Sequence, residues 1–173
     1  RAVMRERMSA RRHLFHTCDE ISSDLGDADR CFDVVRALNF VARHRDGLLK
    51  TDFKQPLGKV SYHVPCHNRV QKIGRKTEEM LKLIGKTVTV ELTTVERCSG
   101  HAGTYGVKTK THPIAMKIGR PVFRAMAAPS PDVVASDCAL AGHHIAQGMA
   151  DEGEPAPERC HPLSLLRRAY GLE

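Results

Sequence analysis

The 173-residue chain has no tryptophan, and aromatic residues make up only 5% of it. A platform that stacks single-stranded nucleic acid needs aromatic rings interleaved with cations. The 27 Lys+Arg against 20 Asp+Glu give a net charge of +7, but these charges are spread along the chain. Nucleic acid is therefore not an expected partner. There is no uncharged apolar run of the roughly 18 residues a transmembrane helix requires. The basic start, Arg1 to Arg7, is not followed by the apolar stretch of a secretory signal. No Cys-x-x-Cys pair occurs, and the glycine-rich loop from Cys98 to Gly106 lacks the Gly-Lys-Ser/Thr ending of a phosphate loop, which weighs against a thioredoxin-like thiol catalyst and a P-loop nucleotide site.

What the chain does have is six cysteines, at positions 18, 31, 66, 98, 138 and 160, and ten histidines. Without a secretory signal, and in a chain much larger than a small disulfide-stapled domain, these cysteines read as reduced and available for metal, cluster or redox chemistry. Hydrophobic residues at 41% and charged residues at 27% describe an ordinary globular domain with enough apolar material for one core.

The N-terminal 45 residues read as a helical arm. Arg1 to Phe15 is rich in helix formers, and Asp27 to His44 spaces Phe32, Val35, Leu38 and Val41 at helical intervals. After an irregular stretch to residue 58, short β-branched runs alternate with amphipathic ones. Strands are expected at Val60–Val64, Thr87–Thr93 and Val133–Ala135. Helices are expected at Gly74–Ile84, Pro113–Ala127, Leu140–Met149 and Leu163–Tyr170, and residues 150–160 read as a solvated linker. Strands alternating with helices predict an α/β fold, a short mostly parallel sheet with flanking helices. The expected division is residues 1–45 as the arm, taken as the end of a preceding repeat, and residues 46–173 as the α/β domain.

The cysteines acquire meaning from this order. Cys66, Cys98 and Cys138 each follow an expected strand, with 31 and 39 residues between them. In a parallel sheet all strands end on one edge, where α/β proteins build their sites and where helix N-termini favour negative charge. That placement makes the three thiols candidate ligands of one centre. Cys18, Cys31 and Cys160 read instead as small buried hydrophobes. Around the candidates lie Pro65-Cys66-His67, the loop Cys98-Ser99-Gly100-His101-Ala102-Gly103-Thr104-Tyr105-Gly106, and Asp137-Cys138 followed by His143 and His144. Gly100, Gly103 and Gly106 let the backbone approach a bulky group and aim N–H groups at it. Ser99, His67, His101 and His143 are candidates for a fourth ligand or for the surrounding shell. Three thiolates with one imidazole would equally suit a structural zinc ion without redox activity.

Four stretches carry a resemblance: Tyr62-His63-Val64-Pro65-Cys66-His67, the loop from Cys98 to Gly106, Val133-Val134-Ala135-Ser136-Asp137-Cys138, and His161-Pro162-Leu163-Ser164-Leu165-Leu166. In order and spacing they resemble the cysteine-rich CCG domain found in subunits of anaerobic glycerol-3-phosphate dehydrogenase and of heterodisulfide reductase, the former type especially. The resemblance covers roughly residues 45–170. It implies an iron–sulfur cluster of the [4Fe–4S] type, held by Cys66, Cys98 and Cys138, in the electron-relay part of a respiratory oxidoreductase. It also implies partner subunits, a flavoprotein dehydrogenase or a quinone-linked protein, and a cytoplasmic location peripheral to the inner face of the cell membrane. Ser99 and Ala141 stand where the family pattern has its second CCG cysteine and the second cysteine of its closing pair. The chain begins with Arg1 rather than Met, and the expectation is a fragment whose upstream part carries further cysteines.

Overall fold

The computed structural model describes residues 40–70, 72, 74–155 and 157–172, all within the compact unit Phe32–Glu173. Among these residues four strands form one sheet: β1 (Gly58–Val64), β2 (Val90–Glu96), β3 (Val133–Ser136) and β4 (Glu158–Cys160). The order across the sheet is β2-β1-β3-β4, and every neighbouring pair is parallel. The expected α/β fold is what the chain adopts. The strands are accompanied by helices α1 (Cys66–Val70), α2 (Lys76–Ile84), α3 (His112–Ala127), α4 (Ala139–Asp151) and α5 (Pro162–Ala169).

The pleat of β1 explains why the sheet is covered on both sides. Val60, Tyr62 and Val64 point to one face, where Met80, Leu81 and Ile84 of α2 and Leu165 and Ala169 of α5 complete an apolar cluster. On the opposite face Val134 packs with Val122, Phe123 and Met126 of α3 and Ile145 and Met149 of α4. Burying each of these large side chains contributes roughly 1.5–3 kcal/mol. The α3–α4 contact is close because of Gly148, where a Cβ would lie 2.2 Å from the Phe123 ring. Arg120 and Arg124 of α3 reach Glu152 at the end of α4, at 2.9 and 3.2 Å, and tie the pair at its surface.

Two expected elements are corrected. The second strand starts at Val90 rather than Thr87, because the Thr87 and Val88 amides donate to the Ile84 carbonyl and close α2 instead. Residues 158–160 are not linker but the edge strand β4, paired with Val133–Ala135. Its sequence, Glu158-Arg159-Cys160, has no apolar alternation, and its pairing with β3 comes from the backbone alone. The expected helix Arg1–Phe15 lies outside the described residues, as does most of Asp27–His44. Residues 40–45 are helical, and Phe40 and Val41 are buried in the core on the α2–α5 face. No helix among the described residues is long and apolar enough to cross a membrane.

Candidate metal centre at the carboxyl edge

The strand order creates a reversal. From β1 the chain crosses to β2 on one side, and from β3 it crosses to β4 on the other. Connections leaving two adjacent strands in opposite directions open a crevice at their carboxyl ends, the position at which open α/β sheets bind ligands. Cys66 follows β1 and Cys138 follows β3, so the two thiols flank this crevice. The register aligns Val64 with Glu96, and Cys66 and Cys98 each come two residues after these partners. Cys138 comes two residues after Ser136, the partner of His63. All three cysteines thus leave the sheet at nearly one level of one edge.

Local sequence fixes how each is presented. Cys66 opens the five-residue helix α1 directly after Pro65, and it is exposed. Cys98 is exposed on the loop after β2, and the Gly100 amide donates to its sulfur at 3.4 Å. Gly100 has φ +83°, a left-handed conformation that glycine adopts without steric cost, so the loop turns directly after that amide. Cys138 is half-buried and caps the N-terminus of α4 in extended backbone conformation. The positive end of α4 therefore lies at the rim. None of the three is in a disulfide.

Beneath the rim lies a buried polar layer. The Asp137 carboxylate, 3% exposed, accepts from the Tyr62 hydroxyl at 2.5 Å, Thr77 Oγ1 at 2.9 Å and Asn68 Nδ2 at 3.0 Å. Burial, together with the neighbouring Asp137 charge, pushes the Tyr62 phenol well above its ordinary range, so it stays a donor. Asn68 belongs to α1, which carries Cys66, and Asp137 precedes Cys138; their bond joins two of the three cysteine segments. His63 lies beside this layer, bonded to the Arg97 carbonyl and to Ser136. Burial lowers its affinity for a second proton and keeps it neutral.

The other expected residues divide. His67 sits in α1 immediately after Cys66, half-buried. Ser99 and His101 are buried below the exposed Cys98. His101 packs inward, its ring 5.6 Å from that of His144 in α4, and His112 stands 6.1 Å from His144 on another side. Gly103, at φ +61°, has open space around it, whereas a Cβ at Gly106 would meet the His101 ring at 2.9 Å. His143 is exposed and helps line a cavity of about 260 Å³ with Ser136, Arg159, Cys160 and His161. Cys160 ends β4 on the same edge of the sheet, but burial pushes its thiol up. Among the described residues no three His, Cys, Asp or Glu side chains stand close enough, as the chain is folded here, to grip one ion. The shared edge, the accessible thiols and the N–H···S contact fit a soft, thiolate-bound centre in donor type, and binding one would require the three cysteine segments to draw together.

Sequence reasoning gave Tyr62 only a place in a strand and assigned no site role to it, His63, Ser136 or Asp137. The available signal was polarity in the wrong place: Ser61 and His63 interrupt a strand that the fold buries on both faces.

Comparison with known proteins adds two findings. The model of the cysteine-rich domain named CCG matches residues 60–146, a stretch that contains Cys66, Cys98 and Cys138 and stops short of Cys160. Over 112 residues the chain is 36% identical to the subunit designated C of anaerobic glycerol-3-phosphate dehydrogenase from Escherichia coli strain K12, and equally to its counterpart from Escherichia coli O157:H7. The match takes in 64% of this chain and spans 26% of the length of each relative.

Proposed function

The chain belongs to the cysteine-rich CCG-domain family, and from that premise we propose that it binds an iron–sulfur cluster and serves as an electron-relay part of a multi-subunit oxidoreductase. The observation that carries this reading is the placement of Cys66 and Cys138 on either side of the β1/β3 crevice, with Cys98 in register beside Cys66. Such a cluster supplies one-electron reduction and oxidation through its iron atoms. In this reading Cys66, Cys98 and Cys138 hold it as thiolates, and a [4Fe–4S] form takes its fourth ligand from Ser99, His67, His101, His143, solvent or another chain.

The remaining work falls to groups already in place. The Gly100 amide donates to the Cys98 sulfur and so withdraws charge from it, which raises a potential. The positive end of α4 acts in the same sense at Cys138. The buried Asp137 charge opposes both from below. Of the loop glycines, Gly103 has open space beside it where a bulky group could seat, whereas Gly100 and Gly106 let the loop pack on α3 and on the His101 ring. The partners in this reading are further subunits, a flavoprotein dehydrogenase or a quinone-linked protein, met at the cytoplasmic face of the membrane.

Anaerobic reconstitution of the chain with iron and sulfide, followed by iron and acid-labile sulfide assays and a visible spectrum, tests the proposal. Stoichiometric sulfide with a broad absorption at ~400 nm, the cluster's charge-transfer region, supports it. A colourless protein that takes up one zinc overturns it in favour of a structural Cys/His site.

A further inference from the structure

We infer that His63 is a positioning residue that sets where Cys98 stands relative to Cys138, an inference that rests on the reading that these thiols hold one centre. His63 lies in the central strand and is 1% exposed. Its Nε2 is 2.8 Å from the carbonyl oxygen of Arg97, the residue immediately before Cys98. A carbonyl can only accept, so Nε2 carries the proton and Nδ1 of the neutral ring is an acceptor. Nδ1 is 3.1 Å from Ser136 Oγ, which therefore donates to it. The Ser136 oxygen in turn accepts the Cys138 amide at 3.3 Å. One imidazole thus connects the backbone before Cys98 to the backbone of Cys138 through a chain in which every donor and acceptor is used in a single sense.

The seat of Ser99 and Gly100 on α3 holds the loop after Cys98, but this link is what ties the backbone before Cys98 to the Cys138 segment across β1. The β1–β2 pairing ends at Val64 and Glu96, and Cys98 lies beyond it, exposed. β2 is an edge strand and β3 lies on the other side of β1. A side chain spanning from β2's end to β3's end must therefore come from β1, and His63 is registered between Val95 and Ser136. Ser136 is also buried, 4% exposed, so water is poorly placed to substitute in the chain. Ser61, two residues earlier on the same face, bonds the Met126 carbonyl of α3 instead and does not reach the rim.

The test uses two spin labels, at Cys98 and Cys138, in the metal-free chain with Cys18, Cys31, Cys66 and Cys160 replaced by serine. The parent gives a narrow label–label distance distribution. His63→Leu broadens and shifts it, His63→Gln, whose amide nitrogen can still donate to the Arg97 carbonyl, restores the Cys98 side, and Ser136→Ala broadens it through the Cys138 side. If His63→Leu fails to fold, the His63→Gln and Ser136→Ala distributions decide. In the native-cysteine chain reconstituted with iron and sulfide, His63→Leu weakens iron retention roughly 10- to 100-fold, the size expected when a partner that orients a metal ligand is lost, while His63→Gln recovers most of it. Distance distributions that match the parent in both His63→Leu and Ser136→Ala overturn the inference, whatever the iron content. A parent that holds no iron, yet broadens on His63→Leu, defeats the cluster reading and leaves the positioning role standing.

Discussion

Gly100 is pressed against α3 so closely that a Cβ placed on it would lie 2.3 Å from the Ala115 carbonyl oxygen. Two constraints coincide there, the contact and a φ of +83° that L side chains rarely adopt. The obstacle is helix backbone, which cannot swing aside as a side chain tip would. Gly100→Ala should therefore cost about 2–4 kcal/mol, combining the left-handed penalty with the displacement of packed backbone. Because the same residue donates to the Cys98 sulfur, the variant should also change the reactivity of that thiol. Chemical denaturation and the rate of Cys98 alkylation measure the two effects. Gly103→Ala is the control: its φ is also positive but nothing lies within 4 Å, so only the conformational part, about 1 kcal/mol, is expected. Equal losses in the two variants would refute the contact argument.

How much of this was legible in the sequence depends on whether side chains or backbone carried the information. Val60, Tyr62 and Val64 announced a strand, and Met80, Leu81 and Ile84 a helix, because burial imposes periodicity on apolar residues. That was enough to foresee a parallel sheet and hence one edge for Cys66, Cys98 and Cys138. Glu158-Arg159-Cys160 carried no such imprint, since an edge strand needs only its backbone to pair. The Asp137 layer was invisible for a different reason. Tyr62, Asn68, Thr77 and Asp137 are between 6 and 75 positions apart, and nothing in their spacing says that three donors meet one carboxylate. Ser99 and His101 read as candidates for a fourth ligand or the surrounding shell beside Cys98, and nothing in the glycine-rich loop said which way they face. Only the close seat of that loop on α3, with the Ser99 carbonyl 2.4 Å from a Cβ built at Gly119, turns them inward and leaves Cys98 outside.

The Asp137 layer makes an ordering prediction. Tyr62→Phe removes one donor and leaves the carboxylate with two, so it should cost about 1.5–3 kcal/mol, the worth of a hydrogen bond to a charged group. Asp137→Asn keeps the shape but turns one of the two acceptor oxygens into an NH2 group, facing either Thr77 at the Oδ1 position or Tyr62 and Asn68 at the Oδ2 position. The amide settles with its NH2 toward Thr77, whose hydroxyl can turn to accept, but the charge that strengthens the bonds from Tyr62, Asn68 and Thr77 is lost, and the loss should exceed that of Tyr62→Phe. Urea midpoints of the two variants settle the order. An Asp137→Asn protein as stable as the parent would mean that the carboxylate's charge and second oxygen are not what the three donors require.

Thiol roles should separate by position on the edge. Cys98→Ala should abolish iron retention after anaerobic reconstitution while leaving the far-ultraviolet circular dichroism spectrum almost unchanged, because Cys98 is exposed and packs against nothing in the core. Cys160→Ala should leave iron content at the parent level. Its thiol is half-buried beside the core on the α2–α5 face, so its loss should appear as a modest fall in stability instead. Iron assays on both variants check this, and iron loss in Cys160→Ala would bring the end of β4 into the ligand set.

Acid should destabilise the fold through two histidines. His63 and His144 are 1% and 3% exposed, and burial holds both below their ordinary affinity for a proton. The Ala115 carbonyl works against this lowering and His101 and His112 beside His144 add to it, and the ring's Nε2 is buried with no hydrogen-bond partner, so protonation would place an unsatisfied N–H there. In the unfolded chain both rings take up a proton at pH ~6.5. The unfolded state therefore binds more protons than the folded one below that pH. Stability is fully present above about 6.5 and is lost as pH falls toward the depressed folded values, by up to ~1.4 kcal/mol per pH unit for each group. Denaturation midpoints between neutral pH and pH ~5 measure the slope. His144→Asn removes one of the two titrations, and although it lowers stability at neutral pH it should flatten the slope below pH ~6.5 by one proton. A slope unchanged in that variant would show that His144 accepts its proton in the folded chain as readily as in the unfolded one.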